Sequence, residues 1–145
     1  MKIGVYFCNC GTNIAEKIDT EKVRPKIAGI PEVAYFKTAD FICSEEGKAF
    51  LEEDLKANHP DRVVIAACSP RDHESTFMRV MAKAGMNPYL MQMVNIREQI
   101  AWVTEDPERA AAKTVTALRS AIARVKLHQP LEKKELLPNT AAELA

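Results

Sequence analysis

The chain has no excess of either charge, since twenty basic residues cancel twenty acidic ones over its 145 residues. That balance removes the overall electrostatic case for nucleic acid or an anionic membrane surface as a partner. Long apolar runs are missing too. The longest, such as Val63 to Cys68, fall far short of the ~20 residues a spanning helix needs, so direct membrane insertion is not expected. The opening "MKIGVYFC" enters a strand pattern at once and carries no signal-peptide cleavage pattern, which points to the cytoplasm. The five glycines form neither a dinucleotide fingerprint nor a phosphate loop ending in Gly-Lys-Ser/Thr, and the first strand-to-helix turn reads "CNCGTN" instead. Nucleotide binding is therefore disfavoured. Six methionines, among them Met78, Met81, Met86, Met91 and Met93, are too few and scattered for a metal-binding tract and read as core filling or a partner surface.

What the chain does have is a repeated alternation of strand and helix signals. A β-rich run at Lys2 to Phe7 precedes a modest helix in "IDTEKVRPKIAG", with Asp19 or Thr20 as cap, Gly29 as stop and Pro25 as its weak point. A second strand near Val33 to Lys37 leads to Cys43 and a helix that Ser44 can cap, with Glu45 and Glu46 at its positive end. The run "DRVVIAAC" is the β-branched stretch of a strand buried on both faces, and a Ser-Pro turn then opens a helix closed by Gly85. "PYLMQMV" reads as a fourth strand. After it, "NIRE" offers an Asn cap with Glu three positions on, and Ile96, Ile100 and Val103 follow at helical spacing. Asp106 caps the last helix, Pro107 takes its first position, and Ala111, Val115, Leu118, Ile122 and Val125 form one apolar stripe.

This order predicts an α/β fold: a doubly wound, Rossmann-like three-layer domain with a four-strand parallel sheet over residues 1–127. Residues 128–145, with Pro130 and Pro138 and no stripe of their own, read as a C-terminal linker or a truncated connection to another domain. Right-handed crossovers put the carboxyl ends of all strands on one edge, where such folds bind ligands. Cys8 and Cys10 follow the first strand, Cys43 the second and Cys68 the third. Four thiols far apart in sequence are thereby expected at one edge.

In a reducing compartment four cysteines are ligands or reactive groups before they are disulfides. Their spacing, Cys-x-Cys-x32-Cys-x24-Cys, is neither the paired Cys-x-x-Cys knuckle of zinc modules nor the compact run of bacterial ferredoxins. Placement carries the signal instead: each thiol stands just before a helix N-terminus, where partial positive charge and free amides favour an anion such as a thiolate-ligated iron-sulfur cluster. Gly11 lets the backbone turn and approach such a group closely. Three readings stay open on the residues alone. One is an iron-sulfur cluster, the second a structural zinc on four cysteines, and the third a thiol redox enzyme using Cys68, with Arg71 and His73 nearby in "CSPRDH". Taken singly, Cys8 and Cys68 are ordinary small core residues, Asp72 and His73 a helix cap and a satisfied polar side chain, and Arg71 and Arg97 solvent- or carboxylate-facing cations. His59 and His128 have ligand spacing to nothing.

The blocks "CNCGTN", "AACSPRDHESTF" and "NPYLMQMVNIRE", within a similarity running over about residues 3 to 131, resemble the N-terminal domain of the A-type subunits of heterodisulfide reductase. These flavin-containing iron-sulfur proteins occur in anaerobic archaea and bacteria and are related to components of membrane-associated quinone-interacting oxidoreductases. The resemblance implies one [4Fe-4S] cluster on Cys8, Cys10, Cys43 and Cys68, acting as a single-electron relay without independent catalysis. It implies FAD only in a covalently following domain that these residues do not include. The implied partners are other redox subunits or domains of a heterodisulfide-reductase-like complex, and a homodimer is left open.

Overall fold

The computed structural model describes residues 1–134, so the last part of the expected linker lies outside the described residues. Four strands, β1 (Ile3–Cys8), β2 (Val33–Ala39), β3 (Arg62–Ala67) and β4 (Met91–Asn95), form one sheet in the order β2-β1-β3-β4. Every neighbouring pair is parallel, as expected. Between and after them run α1 (Thr20–Ala28), α2 (Glu45–Asn58), α3 (Pro70–Lys83) and α4 (Pro107–Val125).

Each helix begins where a side chain can satisfy its first amides. Asp19 accepts from the Glu21 N–H, Ser44 from Gly47, Ser69 from Arg71 and Asp106 from Glu108. The α3 cap is thus Ser69, and the sequence reading of Asp72 as the cap is corrected: Asp72 lies in the first turn. Pro25 sits inside α1, where it removes an amide donor, yet the helix persists because Val23 and Ile27 are fully buried beneath it.

Alternation along β1 feeds two cores. Ile3, Val5 and Phe7 point to the layer of α1 and α4, where they meet Val23, Ile27, Val115 and Leu118. Tyr6 and Cys8 point to the other layer with Leu51 and Leu55 of α2 and Phe77 and Met81 of α3. Val63, Val64, Ile65 and Ala66 of β3 are all fully buried, which is why that strand reads as one continuous apolar run. The α4 stripe foreseen from Ala111 to Val125 is buried throughout.

The segment after β4 departs from expectation. Instead of an α-helix it makes a single π-turn, Arg97–Ala101, closed by bonds from the Ala101 N–H to the Ile96 carbonyl and from the Trp102 N–H to the Arg97 carbonyl, both 2.9 Å. Asn95 still caps it, accepting from the Glu98 N–H at 3.0 Å. Ile96 and Ile100 are buried, but Val103 is 64% exposed, so the third residue of the proposed stripe does not join the core. The wider turn leaves Trp102 and Val103 outward and holds Arg97 over the sheet edge. Beyond α4, Arg62 donates to the carbonyl of His128 at 2.9 Å and His128 Nδ1 lies 3.0 Å from the Tyr89 carbonyl. The start of the expected linker is therefore laid against the domain. Among the described residues no helix is long and apolar enough to cross a membrane.

Candidate thiol site at the carboxyl edge of the sheet

Strand register places the ends of all four strands side by side. Cys8 stands opposite Ala39 across β1 and β2, and Ala67 opposite Asn95 across β3 and β4. Strand order reverses between β1 and β3, the switch point at which doubly wound sheets bind ligands. Cys8 and Cys10 belong to one side of that point and Cys68 to the other, with Cys43 in the loop after β2.

The chain does turn after Cys8. Asn9 N–H still bonds to the Ala39 carbonyl at 3.0 Å, but Cys10 and Gly11 both take left-handed backbone conformations, at φ of 43° and 54°, and a 3-10 turn follows at Gly11–Asn13. Cys10 is thereby lifted off the strand and packs against both cores rather than sharing one face with Cys8. A Cβ on Gly11 would stand 3.0 Å from the tip of the Phe41 ring, which covers this turn. Phe41 is itself left-handed, at φ 46°, so the loops after β1 and β2 each carry backbone strain at the point where they face one another. Asn9 Nδ2 donates to Asp40 Oδ1 at 3.1 Å and ties the two loops. Behind them α2 starts hard against the Cys43 loop: a Cβ on Gly47 would fall 2.3 Å from the Phe41 carbonyl oxygen.

All four cysteines are free thiols; Cys8 and Cys68 are buried, while Cys10 and Cys43 are half-buried. Burial pushes the Cys8 thiol above its ordinary value, the backbone N–H groups of Ile42 and Cys10 pull it back, and the neighbouring Cys10 and Cys43 sulfurs push it up again. Burial likewise pushes Cys68 up to about 11, opposed by Arg97 and assisted by Glu98, Asp72 and Cys43. A thiol so raised is protonated at neutral pH, the opposite of the low-pKa nucleophile that "CSPRDH" suggested. His73 is occupied elsewhere: its Nδ1 lies 3.5 Å from Thr76 Oγ1 and its ring tilts against Phe77.

The mutual influence of Cys8 with Cys10 and Cys43, and of Cys68 with Cys43, links all four thiols into one neighbourhood. They do not collapse to one point. Among the described residues no three His, Cys, Asp or Glu side chains converge closely enough to hold a single metal ion.

The reading of Arg97 as a carboxylate-facing cation is met by Glu98 and Asp72, and the structure adds that its Nη1 lies 3.6 Å from Cys10 Sγ. The signal for that contact was available, because the topology that carries the cysteines to the carboxyl edge also carries the residues after β4 there. Phe41 gave no such signal, since nothing in an isolated Phe announces a left-handed backbone.

A doubly wound α/β domain with four free thiols at the switch-point edge is the class that fold and site define. No protein-family model matches the chain. Among curated proteins it is similar to the A-type subunit of the ferredoxin/F420H2-dependent CoB-CoM heterodisulfide reductase of Methanosarcina acetivorans, at 46% identity over 132 residues, 90% of this chain and 17% of that protein. It is also similar to the A-type subunit of the H2:CoB-CoM heterodisulfide, ferredoxin reductase of Methanothermobacter thermautotrophicus, at 44% over 132 residues, 90% of this chain and 20% of that protein. A third relative, an A-type iron-sulfur subunit of the CoB-CoM heterodisulfide reductase of Methanopyrus kandleri, is 39% identical over 137 residues, 94% of this chain and 20% of that protein. The chain is thus homologous to one domain-length part of the A-type subunits of heterodisulfide reductase, as the three sequence blocks implied. It spans about a fifth of the length of those relatives.

Proposed function

We propose that this domain carries one [4Fe-4S] cluster on Cys8, Cys10, Cys43 and Cys68 and serves as a single-electron relay within a heterodisulfide-reductase-like flavin and iron-sulfur complex. The observation that carries this reading is the delivery of four free thiols by three strand ends to one switch-point edge. The donor set fits the group: it is all sulfur, the softness iron-sulfur clusters use. The local backbone fits too, because the Ile42 and Cys10 amides favour the charged Cys8 sulfur and Gly11, in the left-handed region, lets the chain turn sharply after Cys10.

When bound, the cluster supplies reversible one-electron transfer. The chain's own residues hold and tune. The four cysteine sulfurs would hold it, the two amides would stabilise negative sulfur, and Phe41 packs over the Gly11 turn. Four cysteine sulfurs would serve a structural zinc as well as an iron-sulfur cluster, and iron, zinc and acid-labile sulfide analysis separates the two. The relatives are named as subunits of heterodisulfide reductases, one of them as an iron-sulfur subunit, and this supports other redox subunits as partners. Reduced thiols and an oxygen-sensitive cofactor suit the cytoplasm of an anaerobe.

The test is substitution of each ligand in turn. Cys43→Ala and Cys68→Ala are expected to lower cluster occupancy in anaerobically prepared protein as far as Cys8→Ala and Cys10→Ala do. A Cys8→Ala protein that kept a full, reducible cluster would remove Cys8 from the ligand set.

A further inference from the structure

Arg97 is held from three sides. Its Nε donates to Glu98 Oε1 at 2.8 Å, Nη2 lies 2.6 Å from the same oxygen and 3.4 Å from Asp72 Oδ2, and its guanidinium carbon stands 5.0 Å from the centroid of the Trp102 ring. Trp102 is fixed in turn by donating from Nε1 to Asn13 Oδ1 at 3.3 Å, at the end of the cysteine turn. The remaining branch, Nη1, donates to Cys10 Sγ at 3.6 Å. An arginine that only needed a carboxylate partner would be complete with Glu98. Here the planar fork uses one side for the acid and presents the other to sulfur.

The backbone beneath it is equally specific. A π-turn in place of an α-helix sets Arg97 at its first position, directly after the carboxyl end of β4, and such turns recur at functional sites. The neighbouring Glu98 pairs with Arg97 through Oε1, while its other oxygen, Oε2, is buried without a hydrogen-bond partner.

We propose that Arg97 and Glu98 form an opposed charge pair that sets the reduction potential of the iron-sulfur site, Arg97 favouring the reduced state through its contact with Cys10 and Glu98 opposing it. The proposal rests on the cluster reading above. One-electron reduction adds one negative charge to a group already net negative, and no proton or bond change is required. A fixed cation at a ligand sulfur stabilises that added charge, and a half-buried setting limits screening by water and salt. Charge of opposite sign next to it acts the other way, so the two side chains must shift the potential in opposite directions.

The experiment is an anaerobic redox titration of cluster-loaded full chain, with viologen dyes as mediators and dithionite as reductant, after iron and sulfide have been counted for each variant. Arg97→Gln is expected to lower the reduced-to-oxidised ratio at a fixed potential about tenfold, equivalent to ~59 mV for one electron. Arg97→Lys keeps the charge and recovers most of that ratio, and Glu98→Gln raises the ratio about threefold. An unchanged midpoint in Arg97→Gln at full cluster content would overturn the proposal. If Arg97→Gln lost iron altogether, Glu98→Gln, which leaves every donor to Cys10 in place, decides: a rise supports the proposal and no change refutes it. Wild-type protein that bound no iron and sulfide would refute the cluster reading itself, a separate failure seen before any titration begins.

Discussion

Gly11→Ala isolates the backbone requirement of the cysteine turn. Gly11 sits at φ 54°, where an alanine Cβ crowds its own carbonyl at a cost of roughly 1–2 kcal/mol. The new Cβ would also meet the Phe41 ring at 3.0 Å, but the atom it meets is the tip of a half-exposed side chain that can tilt away. Most of the loss is therefore conformational. In urea unfolding of the cluster-free protein, with a slope of about 2 kcal/mol/M, the midpoint should fall by roughly 0.5–1 M. Gly11→Asn should lose clearly less, since Asn tolerates the left-handed region. A Phe41→Ala background should change the cost of Gly11→Ala by no more than about 0.5 kcal/mol, because steric coupling is the smaller part. Equal losses for Asn and Ala, or a Phe41→Ala background that abolished the cost, would refute the backbone account.

Three further outcomes follow from other parts of the molecule. Leu118→Ala removes a fully buried side chain from the α4 stripe and should cost about 2–5 kcal/mol, read as a lowered thermal midpoint; a loss under about 1 kcal/mol would mean that α4 is not anchored as described. Tyr6 hydroxyl bonds Tyr35 at 2.8 Å and Asp54 at 2.7 Å, and burial raises both phenols, Tyr35 to about 12 and Tyr6 beyond it. Because the folded values lie above the unfolded one near 10, stability from this pair is full below about pH 10 and declines as pH rises toward 12 and above. Tyr6→Phe should flatten that decline in alkaline unfolding curves, and an unchanged slope would argue against it. Cluster-loaded chain should exchange single electrons with a viologen yet turn over neither NADH nor a disulfide; sustained disulfide turnover lost in Cys68→Ser with the cluster intact would instead favour a thiol enzyme.

The parts of the fold that were legible in the sequence were those set by short-range chemistry. "RVVIAA" reads as a central strand because both its faces are buried, and Asp106-Pro107 announces α4 because cap and first position each demand those residue types. The gathering of Cys8, Cys10, Cys43 and Cys68 at one edge was legible as well, because parallel topology fixes where strand ends go. What escaped depends on contacts between loops. Glu98 and Asn95 make a good helix start in sequence, yet the backbone there takes a π form and leaves Val103 outside. The left-handed Phe41 is likewise dictated by Gly11 on one side and Gly47 on the other, neighbours that lie 30 and 6 positions away.

The central claim is tested most directly by iron, zinc and acid-labile sulfide analysis, with a visible absorption spectrum, on protein prepared without exposure to air. Four thiolate ligands predict a brown protein with about four iron and four sulfide per chain that bleaches reversibly on reduction. Tightly held zinc with no acid-labile sulfide, in protein that has never met air, would contradict it.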